Sequence, residues 1–341
     1  MYKINIDKRT LHFKQPAGTS RGIYTERDIW LIHVSDTLYP EREGIGECAP
    51  LPDLSCDASP CYGETLQRLC AVFEQTGQID YKLMMPYPSM LFGLETALLS
   101  LKHGKILFDT PFAHGEVGIP INGLVWMGNF DEMNSRLEEK IASGFKCVKL
   151  KIGAIDFDSE LNLVRNIRRR FSKNTIELRV DANGGFTPAE ALRKLELLSK
   201  FDIHSIEQPI KQHQWTEMSH LCSVTPIPIA LDEELIGINI SDMKKELLDV
   251  IRPQYIVLKP SLHGGINGTL EWVKLSKGRG IGSWITSALE SNVGLGAIAQ
   301  LAAHVYGNNI SFAQGLGTGA LYLDNLQSTT EIKGNEIWMM K

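Results

Sequence analysis

The amino-acid sequence predicts an α/β protein in which a parallel (β/α) barrel follows a smaller α+β module. From about residue 117 onward, apolar strand-like segments alternate with segments whose apolar residues have helical spacing. Strands this apolar are typical of a parallel sheet that is covered on both faces. Ionisable side chains stand at the ends of five of these strands, and they would meet at one mouth only if the strands form a ring. A barrel is therefore favoured over a doubly wound open sheet.

Residues 1 to about 110 have a different order of elements. Two strand-like segments, INIDKRTLHF and RDIWLIHVSD, come first, and REGIGECAP has the composition of a turn. Two segments with helical spacing follow, GETLQRLCAVFEQTG and SMLFGLETALLSLKHG. Strands followed by helices indicate an α+β module.

Eight segments are the predicted barrel strands: GIPINGLV, CVKLKIG, IELRVDA, IHSIEQP, IPIALDE, YIVLKPS, GSWITSA and ISFAQGL. Helices are predicted between them, for example in FDEMNSRLEEKIASG, FDSELNLVRNIRRRF and VGLGAIAQLAAHVYG. The start of one helix is well marked in TPAE. There, Thr187 and Glu190 form a capping box, and Pro188 suits the first helical position.

Three carboxylates end consecutive predicted strands. Asp181, Glu207 and Asp232 follow one another at intervals of 26 and 25 residues, so in a barrel they meet at the mouth where active sites lie. Clustered anions need a counter-charge, and a set of oxygen ligands favours Mg²⁺ over Zn²⁺, with Mn²⁺ as a possible substitute. Glu233 is the alternative to Asp232, which keeps the spacing. Any one of these acids alone would more often be a helix cap or a surface ion pair.

Three lysines flank these carboxylates. Lys149 and Lys151 alternate on one strand and therefore point to the same side, while Lys259 ends a strand across the ring. Buried among the outer helices, such ammonium groups would be costly, so we expect them at the mouth. A lysine base needs its pKa lowered from about 10.4 to near 7, and a second lysine, a metal ion and burial all act in that direction. The residues thus predict metal-assisted abstraction of a proton next to a carboxylate.

The ordered set KLKIG, VDANGG, IEQP, ALDEE and LKPS resembles the enolase superfamily, muconate-lactonizing subgroup, over nearly the whole chain. Enzymes of this superfamily pair a lysine base with Mg²⁺. The resemblance implies an N-terminal α+β capping domain over residues 1–112, a (β/α)7β TIM-like barrel over 113–318, and a tail over 319–341 that returns to the cap. Gln208 in IEQP is a departure, because many relatives have a second acid there.

Within the subgroup, further stretches resemble the o-succinylbenzoate synthase family: TSRGIYTERD, GECAPLPDLS, LKPSLHGG, ITSALESNVGLGAIAQLAA and QGLGTGALYLDN. This resemblance implies syn elimination of water from 2-succinyl-6-hydroxy-2,4-cyclohexadiene-1-carboxylate through a metal-stabilised enediolate, in menaquinone biosynthesis. Lys151 would remove the α-proton and protonate the departing hydroxide. Lys149 would assist Lys151 and bind the carboxylate, and Lys259 would be a cation facing the ring. The implied substrate-pocket residues are Thr19, Ser20, Arg21, Asn183, Ser261 and Ser287.

Other functions share the same residues. An N-acylamino acid racemase or dipeptide epimerase could use Lys151 and Lys259 as opposed bases. The Asp-x-Asp expected of dipeptide epimerases is replaced here by Gly315 and Gly317 in QGLGTG, which disfavours that activity. Muconate cycloisomerase and a catalytically silent barrel are the remaining alternatives, and fold alone does not choose among them.

Composition indicates which kinds of molecule the protein binds. The net charge of −5 and pI of about 6 do not favour nucleic acid. No apolar run approaches the roughly 18 residues of a membrane span, and the N-terminal segment lacks the apolar core of a signal peptide. The six cysteines form no regular framework, which predicts reduced thiols and a cytoplasmic location. We therefore expect a small-molecule carboxylate as the partner, while the oligomeric state stays open.

Overall fold

An antiparallel sheet with three helices forms the N-terminal part of the chain. The computed structural model describes residues 1–19, 22–125, 130–153, 156–307 and 310–341. The sheet has the order β1-β2-β3. Its strands and the helices after it are β1 (Tyr2–Thr19), β2 (Gly22–Asp36), β3 (Tyr39–Cys48), α1 (Tyr62–Thr76), α2 (Tyr81–Met84) and α3 (Pro88–His103).

Glycines in β3 allow this sheet to pack closely on α3. A side chain at Gly44 would overlap the backbone of α3 at Ala97, and one at Gly46 would overlap it at Gly93. The GIG stretch that read as a turn in the sequence therefore lies within a strand. Small residues at this position are required because helix and strand backbones are nearly in contact.

Parallel strands alternating with helices form the second part of the chain. A two-residue strand, β4 (Ile119–Pro120), precedes them. The parallel strands are β5 (Gly123–Val125), β6 (Cys147–Lys151), β7 (Glu177–Asp181), β8 (Ser205–Glu207), β9 (Ile229–Leu231), β10 (Tyr255–Leu258) and β11 (Gly282–Ile285). The helices are α4 (Phe130–Ala142), α5 (Phe157–Arg170), α6 (Pro188–Leu198), α7 (Trp215–Val224), α8 (Ser241–Ile251), α9 (Gly265–Lys277) and α10 (Asn292–Tyr306). Strands β5 to β11 pair in chain order, without the reversal of a doubly wound sheet. The barrel prediction is confirmed, as is the capping box at the start of α6.

The ring closes through a segment that is not a regular strand. ISFAQGL was predicted as the eighth strand, but it makes only single parallel bridges, from Gln314 to Ile121 and from Gly315 to Thr286. GIPINGLV, predicted as one strand, divides into β4 and β5. The carbonyl of Pro120 accepts from the N–H of Gln314 at 2.8 Å, and Gly315 lies so close to Thr286 that a side chain would overlap it. The parallel pairing of the closing segment is confined to Gln314 and Gly315.

Two C-terminal strands complete the fold. Strands β12 (Thr330–Lys333) and β13 (Glu336–Met339) form an antiparallel sheet with β4. Before them, the N–H of Leu323 donates to the carbonyl of His12 in β1 at 2.8 Å. The tail thus contacts the N-terminal sheet, while the predicted domain boundaries stay predictions. No helix within the described ranges combines the length and apolar character needed to cross a membrane.

Two buried glutamates of the N-terminal part anchor it to barrel helices. Glu47 in β3 accepts hydrogen bonds from the N–H groups of Ser291 (2.8 Å) and Gly294 (2.7 Å) at the start of α10. Glu95 in α3 accepts from the N–H groups of Ile266 (2.5 Å) and Asn267 (3.1 Å) at the start of α9. Carboxylates at helix N-termini satisfy otherwise unpaired N–H groups, so each contact joins the two parts of the protein.

We expect Glu95→Gln to change how stability depends on pH. Burial raises the pKa of Glu95 from 4.5 to about 8, against the opposing effect of the two N–H donors. Since the folded protein holds this proton more tightly than the unfolded chain, the group's contribution to stability is lost as the pH rises between those values. The amide of the variant does not titrate. Urea denaturation at about pH 5, 7 and 9 should therefore show the wild type losing stability relative to the variant; a difference that is constant with pH would contradict this.

Candidate active site

The three strand-end carboxylates lie together at one mouth of the barrel. Strands β7 and β8 pair so that Asp181 stands directly opposite Glu207, and Asp232 follows β9. All three side chains are buried, and one oxygen from each lies within 4.8 Å of the others. Parallel strands in register bring their ends to the same edge, which is why residues about 25 positions apart in sequence become neighbours.

The carboxylate cluster (Asp181, Glu207 and Asp232) has the properties of a site for a hard cation. Oε1 of Glu207 is buried and has no hydrogen-bond partner among the described residues. Burial, together with the charges of Asp181 and Asp232, raises the pKa of Glu207 to about 7, against the opposing effect of Lys149. For Asp181, the effect of burial is outweighed by Lys151 and Lys149, so its pKa is lowered. Three carboxylates with an unpaired oxygen could hold a divalent metal ion through oxygen ligands.

The three lysines contact this cluster directly. Nζ of Lys149 lies 2.7 Å from Oε2 of Glu207, and Nζ of Lys151 lies 2.8 Å from Oδ2 of Asp181. Nζ of Lys259 lies 2.5 and 2.6 Å from the two oxygens of Asp232. Lysines of β6 and of the segment after β10 therefore reach the cluster from opposite sides. The mouth holds three acids and three bases in contact.

The charges of the cluster keep two of the lysines protonated. Burial by itself would lower the pKa of Lys149, but the negative charges of Glu207, Asp181 and Asp232 have the larger, opposite effect. The net result is a raised pKa. The pKa of Lys259 is also raised, because Asp232 and Glu233 outweigh burial. Lys149 is thus a cation, which is the state that its predicted role requires.

Asn183 links Lys151 of β6 to a fourth acid, Glu233. Its Oδ1 accepts a hydrogen bond from Nζ of Lys151 at 2.6 Å, and its Nδ2 donates to Oε1 of Glu233 at 2.8 Å. Glu233 is therefore engaged with Asn183, whereas Asp232 lies within the carboxylate cluster. Asn183 was predicted as a substrate-binding residue; it lines the cavity, but both ends of its amide already bind protein groups. Sequence reasoning missed this link, whose one signal was the second acid in ALDEE.

A cavity lies directly above the cluster, with a charged floor and a largely apolar wall. Its floor includes Lys149, Lys151, Asp181 and Lys259. Its wall combines residues of the N-terminal part with residues of the barrel: Tyr24, Leu51, Leu54, Leu124, Ala288 and Leu289. Such a cavity suits a molecule with a carboxylate at one end and an apolar ring.

The C-terminal tail and the N-terminal part hold two neighbouring wall residues, Leu289 and Ala288, in place. Leu289 has a positive φ of 64°, which a branched residue adopts only when its surroundings enforce it. The hydroxyl of Tyr322 donates to the carbonyl of Leu289 at 2.6 Å, and the buried guanidinium of Arg27 donates to the carbonyl of Ala288. No sequence pattern indicated this wall, because it depends on contacts between distant segments.

The remaining predicted pocket residues have mixed outcomes. Ser287 lines the cavity, and its hydroxyl lies 2.6 Å from that of Thr318. Ser261 is not among the cavity-lining residues in the described part of the chain, and its buried hydroxyl donates to the carboxylate of Glu290. Ser20, Arg21 and the side chain of Thr19 lie outside the described residues.

Comparison with known proteins places this geometry in a family. The family described as "Enolase C-terminal domain-like" matches residues 132–324, and "MenC, N-terminal domain" matches residues 13–101. The o-succinylbenzoate synthase of Desulfotalea psychrophila is 43% identical over an alignment that covers 97% of both chains. The crystal structure of MenC from the same organism covers 99% of both chains with a TM-score of 0.84 and 39% identity.

A second solved structure supports the fold alone. The L-Ala-D/L-Glu epimerase from Bacillus subtilis has a TM-score of 0.82 over 99% of this chain and 96% of its own, at 18% identity. Two chains that share a fold at this identity need not share a substrate. The full-length similarity to the Desulfotalea enzyme is more specific. The chain therefore belongs to the enolase superfamily and, within it, to the o-succinylbenzoate synthase (MenC) family.

Proposed function

We propose that this protein is a Mg²⁺-dependent o-succinylbenzoate synthase. It dehydrates 2-succinyl-6-hydroxy-2,4-cyclohexadiene-1-carboxylate to 2-succinylbenzoate, a step of menaquinone biosynthesis. The observation that carries the proposal is the contact of three lysines with three buried carboxylates below an apolar-walled cavity. Family membership supports the choice of substrate.

The carboxylates of Asp181, Glu207 and Asp232 would hold the metal ion. Their oxygens suit Mg²⁺, and Mn²⁺ is an expected substitute. When bound, the divalent cation neutralises the negative charge that develops on the substrate carboxylate as the α-proton leaves. The unpaired Oε1 of Glu207 supports this assignment, since a buried carboxylate oxygen without a partner is costly.

Lys151 is the proposed acid and base. As a neutral amine it takes the α-proton, and the electron pair of that C–H bond is first delocalised into the substrate carboxylate. That pair then forms the new ring double bond as the C–O bond breaks. The resulting ammonium gives its proton to the departing hydroxide on the same face, so that water leaves and Lys151 returns to its starting state. Asn183 supports this role, because its Oδ1 lies 2.6 Å from Nζ of Lys151 and orients the amine.

Lys149 and Lys259 are the proposed cations of the site. Lys149 lies on the same strand as Lys151 and contacts Glu207 and Asp181. From this position it can bind the substrate carboxylate. Lys259 approaches from the opposite side of the ring and can face the substrate ring as a cation. The apolar wall formed by Leu51, Leu54 and other residues would exclude water, which strengthens these charge interactions.

A cytoplasmic location fits this activity. All six cysteines are free thiols, as expected in a reducing compartment. The small, anionic substrate would be the partner, with no role for nucleic acid or membrane.

N-acylamino acid racemization is the second candidate. Lys151 ends the second strand of the ring and Lys259 follows the sixth, so they approach a bound substrate from opposite sides. Two opposed bases are what racemization needs. Incubation of an N-succinyl amino acid in deuterium oxide tests it: exchange at the α-carbon without turnover of the cyclohexadiene would favour the racemase over the synthase.

Removal of divalent metal should abolish dehydration. We expect the protein dialysed against EDTA to form no 2-succinylbenzoate, since the divalent charge that neutralises the developing carboxylate charge is then missing and the lysines alone do not replace it. Addition of Mg²⁺ or Mn²⁺ should restore the absorbance change that follows aromatisation. Full activity after dialysis, with metal content measured independently, would contradict the metal assignment.

Lys151→Ala should remove the proton-transfer group and lower kcat by about 10²- to 10⁴-fold or more. The matched control is Lys146→Ala, which removes an exposed lysine just before the same strand and should leave kcat unchanged. Both variants should have the circular dichroism of the wild type. If Lys151→Ala retained wild-type kcat, this lysine would not be the base.

A further inference from the structure

Gln208 stands directly after the carboxylate Glu207 and is fully buried. It has a positive φ of 37°, which is unusual for a residue with a long side chain. Its backbone joins β9 and the loop after β7: its N–H donates to the carbonyl of Ala230 at 2.9 Å, and its carbonyl accepts from the N–H of Gly184 at 2.6 Å. The residue is thus bonded to both neighbours of the strand that ends in Glu207.

Both ends of the Gln208 amide are used. Its Oε1 accepts from the N–H groups of Asp232 and Glu234, each at 3.2 Å. Its Nε2 donates to the carbonyl of Ile210 at 3.0 Å and to Oε2 of Glu234 at 3.1 Å. One side chain therefore fixes the backbone of Asp232 while it binds a buried acid.

The carboxylate of Glu234 receives one of its hydrogen bonds from the amide of Gln208. Its second oxygen accepts from the N–H of His213 at 2.8 Å, and its side chain is fully buried. Within the described ranges, no lysine or arginine forms an ion pair with it. The hydrogen bonds that Glu234 accepts come from the side-chain amide of Gln208 and from the backbone N–H of His213. The NH2 group of Gln208 is therefore the donor that this carboxylate needs.

We propose that Gln208 is a positioning residue for the metal centre, and that an amide is required at this position because Glu234 is its partner. The inference rests on the proposed function in taking the carboxylate cluster as the metal site. An acid at position 208 could still accept from the N–H of Asp232. As a carboxylate it would have no hydrogen to donate to Glu234 or to the carbonyl of Ile210, so buried acceptors would face each other. The turn that carries Asp232 would then move away from its place beside Glu207.

The test is an exchange of the two side chains. Gln208→Glu should weaken Mn²⁺ binding by about 10- to 100-fold, as expected when a group that orients a ligand is lost. Glu234→Gln alone should also weaken binding, because the amide nitrogen introduced at position 234 would face either the N–H of His213 or Nε2 of Gln208, so two donors would meet. The double variant Gln208→Glu/Glu234→Gln restores one donor opposite one acceptor between these two side chains, while the carbonyl of Ile210 stays without its donor. It should bind Mn²⁺ at least about tenfold more tightly than Gln208→Glu.

Mn²⁺ binding is measured directly, by the electron paramagnetic resonance signal of free Mn²⁺ during titration of the substrate-free protein. The inference is overturned if Gln208→Glu binds Mn²⁺ like the wild type, or if the double variant binds no better than Gln208→Glu. Should Gln208→Glu not fold, the double variant decides: it must fold and bind Mn²⁺ within about tenfold of the wild type, and failure of either overturns the inference.

The same titration separates this inference from the proposed function. Failure of the wild type to dehydrate the cyclohexadiene, with the expected order of Mn²⁺ affinities intact, would overturn the synthase assignment alone. Normal dehydration by the wild type, with unchanged Mn²⁺ affinity in Gln208→Glu, would overturn the role of Gln208 alone. In the supported case, excess Mg²⁺ should recover part of the kcat of Gln208→Glu, which a purely structural defect would not allow.

Discussion

The rest of the structure depends on the burial of three carboxylates side by side. Asp181, Glu207 and Asp232 have oxygens within 4.8 Å of one another and almost no exposure, so their mutual repulsion must be offset. Lysines from both flanking sides supply part of the positive charge, and the oxygen-only cluster suits a divalent cation. The charges that make this burial tolerable are also those that the proposed reaction uses. Structural stabilisation and chemistry are therefore carried by one set of side chains.

The N-terminal part turns this charged mouth into a partly covered cavity. Its glutamates, Glu47 and Glu95, bind the starts of two barrel helices, and Arg27 holds a backbone carbonyl of the cavity wall. Leucines of the same part complete the apolar wall. A site covered in this way has a lower effective dielectric constant, which strengthens each ionic contact at its floor.

Regular spacing explains which features were predictable. Lys149 and Lys151 are two positions apart on one strand, and the strand-end acids recur once in each strand-and-helix unit. Both the two-residue and the roughly 25-residue spacing are visible in the sequence. The closing segment was predicted wrongly as a full strand, because the length over which it pairs depends on the neighbouring strands and not on its own apolar pattern. The pairing of Gln208 with Glu234 was likewise invisible, although the departure at 208 was visible.

By itself, the sequence determined the order of strands and helices, the strand-end acids and lysines, and hence the chemistry of the mouth. These follow from local periodicity and from the convergence of parallel strand ends. Only the tertiary structure decided that Asp232 joins the cluster while Glu233 binds Asn183, and that Leu289 is held in the cavity wall. Those outcomes depend on hydrogen bonds and packing between segments far apart in the chain, which no local pattern encodes.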